Sequence, residues 1–128
     1  MLALMLAAAL SGGPCADPSI VSAGVQSVTQ NGALNHYTVA ITVMNQGDVA
    51  QPSNLLESVD VIQASRKTGQ MGLQPLGPHQ SQKVTYSFDR SVEAGNGTTD
   101  LTFILDFNGM SGSNVDCRGG QESYTLTV

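Results

Sequence analysis

From Ser19 onward, apolar residues recur at every second position and not at every third or fourth. Tyr37, Val39, Ile41 and Val43 alternate with Thr38, Ala40, Thr42 and Met44, which predicts a strand with one apolar face. The run stops at Asn45-Gln46-Gly47-Asp48, residues suited to a turn. Val84, Tyr86 and Phe88 alternate with Thr85 and Ser87 in the same way. So do Leu101, Phe103, Leu105 and Phe107 with Thr102, Ile104 and Asp106, and Tyr124, Leu126 and Val128 with Thr125 and Thr127. Three weaker strands are expected. One lies within Ser19–Val28, where Gly24 points to a bulge or bend. The second is Leu55–Gln63, with Val59 and Val61 on one face and Ile62 on the other. The third is a short edge strand over Met71–Leu73. Asn31-Gly32, Lys67-Thr68-Gly69, Gly77-Pro78, Gly95-Asn96-Gly97, Gly109 and Gly119-Gly120 read as the loops between them. About seven short strands with no amphipathic helix of three turns can bury their apolar faces only against one another. The expected fold is all-β, an immunoglobulin-like sandwich of about seven antiparallel strands in Greek-key arrangement, with a closed barrel as the rival.

The first ten residues, MLALMLAAAL, break this pattern: they are apolar on every side and carry no charge. Ten such residues are too few to span a bilayer. Followed by Ser11-Gly12-Gly13, they match the h-region and cleavage segment of a secretory signal, although the basic n-region is absent. Residues 1–13 are therefore expected to be a signal peptide or its remnant, and residues 14–128 one domain whose mature form does not span a membrane. A lipid anchor on Cys15 does not fit, since Pro14 separates it from the small residues and Leu10 is five positions back. Cys15 and Cys117 are the only cysteines. In an exported chain an even pair suggests a disulfide, two buried thiols being the alternative. The expected location is secreted or extracytoplasmic, in the periplasm or at the cell surface.

Composition narrows the function classes. The chain has 128 residues and a net charge of -5, and only 12% of its residues are charged. Duplex nucleic acid needs clustered Lys and Arg, and only Arg66-Lys67 adjoin. The wettable sides of the strands carry Thr38, Thr42, Thr85, Ser87, Thr125 and Thr127, a neutral hydrogen-bonding surface, with Arg66 and Lys67 placed to blunt an edge.

The turns resemble those of CARDB-type domains, immunoglobulin-like modules named for a cell-adhesion-related bacterial domain. Val39–Asn45 followed by Gln46-Gly47-Asp48-Val49-Ala50 is similar to the family's V-x-N-x-G-x-x-x strand and turn. Leu76-Gly77-Pro78-His79-Gln80-Ser81 resembles its L-x-P-G-x-S turn, with Gly and Pro in reverse order, and Leu101–Asp106 its t-v-x-v-D strand. Ser113–Arg118 replaces the family's terminal acidic and asparagine-rich segment. Over roughly Asp17–Val128 the resemblance implies a seven-stranded sandwich serving as a spacer, adhesion or ligand-presenting module. It brings no catalytic residue.

Candidate chemistry is sparse. His36 and His79 lack partners at metal-ligand spacing, and a zinc site would need three or four donors at about 2 Å. Glu57 and Asp60 fall on opposite faces of a regular strand. A hydrolase would need Asp106 with Asp116, or Asp89 with Glu93, to meet across a loop. Asp106-Phe107-Asn108-Gly109 and Asn114-Val115-Asp116 offer oxygen donors for calcium, without the regular D-x-D-x-D-G alternation. Tyr37, Tyr86 and Tyr124 could stack on a sugar if they faced outward, but their places in apolar runs suit the core. Asn96-Gly97-Thr98 is an N-glycosylation pattern. The Asn108–Ser113 loop could insert into an exported enzyme as an inhibitor. The expectation is thus a non-enzymatic exported module for binding, adhesion or spacing, without cofactor or metal, whose partner is a protein or glycan at the cell surface. A carbohydrate-binding domain is the alternative, ahead of a hydrolase or an inhibitor.

Overall fold

The computed structural model describes residues 14–95, 97–117 and 122–128. The element order is β1 (Pro18–Asn31), β2 (Leu34–Asn45), β3 (Glu57–Gln63), β4 (Arg66–Leu73), β5 (Ser81–Ser91), a 3-10 turn at Val92–Ala94, β6 (Asp100–Asp106) and β7 (Ser123–Thr127). All strand pairs are antiparallel, in a three-stranded sheet of order β1-β2-β5 and a four-stranded sheet of order β4-β3-β6-β7. The chain crosses between sheets after β2, β4 and β5, so the sandwich is of Greek-key type.

The alternating residues of β2, β3 and β6 form the middle of the core. Tyr37, Val39, Ile41 and Val43 from one sheet meet Val59, Val61, Leu101, Phe103 and Leu105 from the other, all buried. Phe103 is the largest fully enclosed side chain, and burial of a side chain of that size stabilises by about 1.5–3 kcal/mol. The Tyr37 ring stacks on Phe88 at a centroid distance of 5.0 Å. Tyr86 and Tyr124 pack partly buried against the same core.

Three boundaries differ from expectation. β1 is long, and its bulges lie between Ile20 and Ser22 and between Val25 and Ser27, on either side of Gly24 and not at it. They place Ile20, Ala23, Val25 and Val28 opposite Val43, Ile41, Val39 and Tyr37, so the apolar residues of β1 share a face despite irregular spacing. Lys67-Thr68-Gly69 is not a loop but part of β4, which begins at Arg66. The reversal before it uses Ala64 and Ser65, both at positive φ (50° and 63°). Two successive left-handed residues make the hairpin turn whose twist matches its strands. Gly69 is held in the strand because a Cβ there would stand 2.6 Å from the Tyr86 ring, which lies over it while its hydroxyl bonds the Thr68 hydroxyl at 3.0 Å. Met71–Leu73 is thus the end of a longer edge strand. Likewise β3 starts at Glu57, because Leu55 N–H closes a turn on Pro52 O.

Candidate functional site

One end of the sandwich is built around Asn45. Its side chain is fully buried and makes four hydrogen bonds. Oδ1 accepts from Asp17 N–H and Gly47 N–H, each at 2.9 Å. Nδ2 donates to Val49 O at 2.9 Å and Leu76 O at 3.2 Å. The amide therefore fastens the entry of β1 and the turn before β5 to the loop leaving β2. Gly47 completes the joint, since a Cβ there would overlap the Cys15 carbonyl oxygen. That oxygen accepts from Asp48 N–H and Val49 N–H. Cys15 is joined to Cys117 by a disulfide with Cα atoms 5.8 Å apart, and Ala16 bonds the Ser113–Cys117 segment through both its N–H and its C=O.

Beside this joint sits a buried polar pair. Gln51 Nε2 donates to Glu57 Oε1 at 3.1 Å and to Val115 O, while Gln51 Oε1 accepts from Leu76 N–H. Glu57 Oε2 is buried and unbonded among the described residues. Burial pushes the Glu57 carboxyl above the usual carboxylate range; the Gln51 amide opposes the rise and the nearby Asp116 charge adds to it.

The neighbouring outer face of the four-stranded sheet carries a cleft of about 510 Å³ lined by Leu55, Leu56, Glu57, Ser58, Gln70, Gly72, Leu73, Asp106 and Asn108. Strand pairing assembles it: Ser58 lies between Gly72 and Asp106 in adjacent strands. Gln70 Nε2 donates to the Ser58 hydroxyl, which donates to Asp60 Oδ1. Leu56 stands exposed at the rim. Asp106 Oδ1 accepts from Asn108 N–H at 2.8 Å, and positive φ at Asn108 and Gly109 closes that turn. The cleft can hold a small polar group by hydrogen bonds. Among the described residues its lining includes no aromatic side chain.

The other candidate residues are dispersed. His36 pairs with Asp89 across β2 and β5 at 2.7 Å, and His79 with Asp48 at 3.1 Å. Glu57 faces the core beside Val59 and Val61, and Asp60 lies on the opposite face, 3.5 Å from Lys67. The Asp116 charge acts on Glu57 and adds to the rise of its carboxyl. Glu93 N–H bonds the Ser91 hydroxyl while Asp89 is engaged by His36. No group of three His, Cys, Asp or Glu able to hold a metal occurs among the described residues. The Asn108–Ser113 loop folds back, with Met110 N–H bonding Phe107 O and Ser113 O accepting from Ala16. Asn96 and residues 1–13 lie outside the described residues.

At the opposite end Arg90 closes the sandwich. Its guanidinium donates to Val128 O and the Tyr37 hydroxyl, each at 2.6 Å, and to the Thr99 hydroxyl, and lies over the Tyr37 ring. Sequence reasoning missed Asn45, Gln51 and Arg90 as organising residues. Only the Asn-x-Gly spacing at residues 45–47 carried a signal.

No protein-family model matches the chain, and no curated protein does. Among solved structures it is similar to the crystal structure of the CARDB domain of the PF1109 protein from Pyrococcus furiosus, described as a complex with di-metal ions. The TM-score is 0.63 at 16% identity, over 90% of this chain and 93% of that one. At that identity the likeness shows the fold, a seven-stranded sandwich of CARDB type. No helix among the described residues is long and apolar enough to cross a membrane.

Proposed function

We propose that this sandwich is a non-catalytic exported module of the cell envelope or extracellular space, used for binding, adhesion or structural spacing. The observation that carries this reading is the separation of its titratable groups. His36 pairs with Asp89, His79 with Asp48 and Lys67 with Asp60 at three distinct places, and the buried Glu57 is enclosed with Gln51. The activated nucleophiles of covalent catalysis commonly stand within hydrogen-bond reach of a base that a third group orients, and these pairs form no such chain. The Cys15–Cys117 disulfide supports an oxidising compartment, and the CARDB-type fold supports a modular role.

Expression of the tagged full-length gene, with cell fractionation and mass analysis, tests the export reading. The expected product lies outside the cytoplasm, starts near Pro14 or Cys15 and has both cysteines oxidised. Cytoplasmic protein that retains Met1 and free thiols would overturn it. A carbohydrate-binding role is the second reading, favoured by the hydroxyl, amide and carboxylate groups around the cleft at Ser58, Gln70, Asp106 and Asn108. Saturable binding on a glycan array would bring that reading forward if Gly72→Gln abolishes it, since a Cβ at Gly72 meets nothing within 4 Å and a side chain there fills the cleft.

A further inference from the structure

Glu57 sits where four segments meet, and a single amide serves all of them. Gln51 Nε2 divides its two hydrogens between Glu57 Oε1 and Val115 O, while Gln51 Oε1 accepts from Leu76 N–H. The amide has no further donor for Glu57 Oε2, which is buried and without a hydrogen-bond partner among the described residues. Glu57 and Gln51 are 6% and 5% exposed. The charges near this carboxyl are negative. Asp116 acts on it from the segment that ends at Cys117. Asp106, on β6, lies opposite the next residue, Ser58. In the Asn45 joint alongside, Asp17 is buried and Asp48 pairs with His79. β4 offers only the apolar Leu73 opposite Glu57. No Lys, Arg or His among the described residues forms an ion pair with Glu57.

A buried carboxylate without donors is costly, so ionisation favours any opening that lets water reach Oε2. The groups that cover it are not held alike. Leu73 is fixed opposite Glu57 in the sheet ladder. Val115, 1% exposed, lies in a short turn closed by Val115 N–H and Asp116 N–H on Gly112 O, and its carbonyl is held by Gln51. The same turn carries Asp116, which an ionised Glu57 repels. Its two ends are tied, since Ser113 O and Cys117 N–H bond Ala16 and the disulfide joins Cys117 to Cys15. We propose that Glu57 is a proton-operated latch on residues 113–116. Protonated, it keeps Val115 docked on Gln51; ionised, it lets the segment lift between its tethers and admit water to the joint. The latch goes beyond the functional reading above and stands whether or not the chain is exported.

Amide hydrogen exchange of the oxidised full chain, followed by nuclear magnetic resonance, tests the proposal. Leu76 N–H reports the Gln51 amide directly and Val115 N–H reports the segment, while Asp17 N–H, held by Asn45, serves as the control. Measured against the intrinsic rate at each pH, protection of Leu76 and Val115 should fall about tenfold or more between about pH 4 and about pH 8, with Asp17 constant. Glu57→Gln should remove the decline. Because His79 is retained in that variant, a decline that survives belongs to the His79–Asp48 pair and overturns the proposal. Asp116→Asn should make the decline smaller and end it at lower pH, since the charge that opposes ionisation is gone. Wild-type protection that does not change with pH, or a fall shared equally by Asp17, also overturns it. If Glu57→Gln fails to fold, the carbon-13 titration of the wild-type Glu57 carboxyl decides. Its midpoint must coincide with the pH at which the decline levels off, and a mismatch refutes the latch.

Discussion

The four hydrogen bonds of Asn45 allow a quantitative test of what holds the joint together. Asn45→Ala removes the amide and leaves Asp17 N–H, Gly47 N–H, Val49 O and Leu76 O without their partner; only the Val49 bond is partly exposed. An unsatisfied buried polar group costs about 1–3 kcal/mol. Water entering the vacated space recovers part of this, so a loss of roughly 3–6 kcal/mol is expected. Whole domains of this size are stable by about 5–15 kcal/mol, which makes the loss a large fraction of the total. Asn45→Asp separates hydrogen bonding from volume. The aspartate keeps the acceptor toward Asp17 and Gly47 but turns an oxygen toward the Val49 and Leu76 carbonyls. Only its protonated form can donate there, so its folded pKa rises above the unfolded value of about 3.9. A raised folded pKa gives stability that is fully present below the unfolded value and is lost as pH rises through the folded one. Relative to wild type, the aspartate variant should therefore be as damaged as the alanine variant at neutral pH and recover in acid. Urea unfolding followed by far-ultraviolet circular dichroism at several pH values reads both effects. A loss below about 1 kcal/mol for Asn45→Ala, or an Asn45→Asp deficit that does not change with pH, would refute the reasoning.

Three further outcomes are expected. Reducing Cys15–Cys117, at a sequence separation of 102, should lower stability by about 4–5 kcal/mol on the chain-entropy account, measured as the unfolding midpoint with and without reductant. Glu57, whose folded pKa is raised above 4.5, contributes stability present below that value and lost as pH rises through the folded one. Glu57→Gln should flatten this decline and stabilise the neutral protein, read as melting temperature against pH; an unchanged pH profile would count against it. Replacing Ala64 with Asn and Ser65 with Gly suits the positive φ of both positions and should stabilise the β3–β4 hairpin by roughly 1 kcal/mol in chemical denaturation.

The sequence made the regular strands legible and hid the irregular ones for identifiable reasons. β2, β5, β6 and β7 alternate strictly, so each could be read from its own residues. In β1 the bulges space the inward residues Ile20, Ala23, Val25 and Val28 by three, two and three positions, which blurs the period of two. The first half of β4 reads as a loop because Lys67-Thr68-Gly69 has turn composition, and only Met71–Leu73 reads as strand; the Tyr86 ring that lies over Gly69 is seventeen residues away in sequence. The reversal itself lacks Gly and Asn, the residues that announce such turns. The candidate site was legible only in part. Asn45 looked like a turn residue, and its side-chain bonds to Asp17 and Leu76 span 28 and 31 positions. The cleft draws on Leu56, Gln70 and Asp106, which only strand pairing brings together.

The placement of the disulfide also sets how the sandwich answers tension. Cys15 lies where β2 ends, and Val128 lies where β2 begins, held by Arg90 and Thr99. A pull between these two points runs along the strands. With the disulfide intact the load passes from Cys15 directly to Cys117, and residues 16–116 form a closed loop outside its path. Only the eleven residues beyond Cys117 can then be drawn out, about 40 Å of chain at full extension. Once β7 has peeled from β6 and the Arg90 clasp has opened, the extension stops, and the rest of the sandwich stays folded. Reduction turns the same element into a much longer tether. In single-molecule stretching, reductant converts a short, bounded extension into release of the whole chain between Cys15 and Val128.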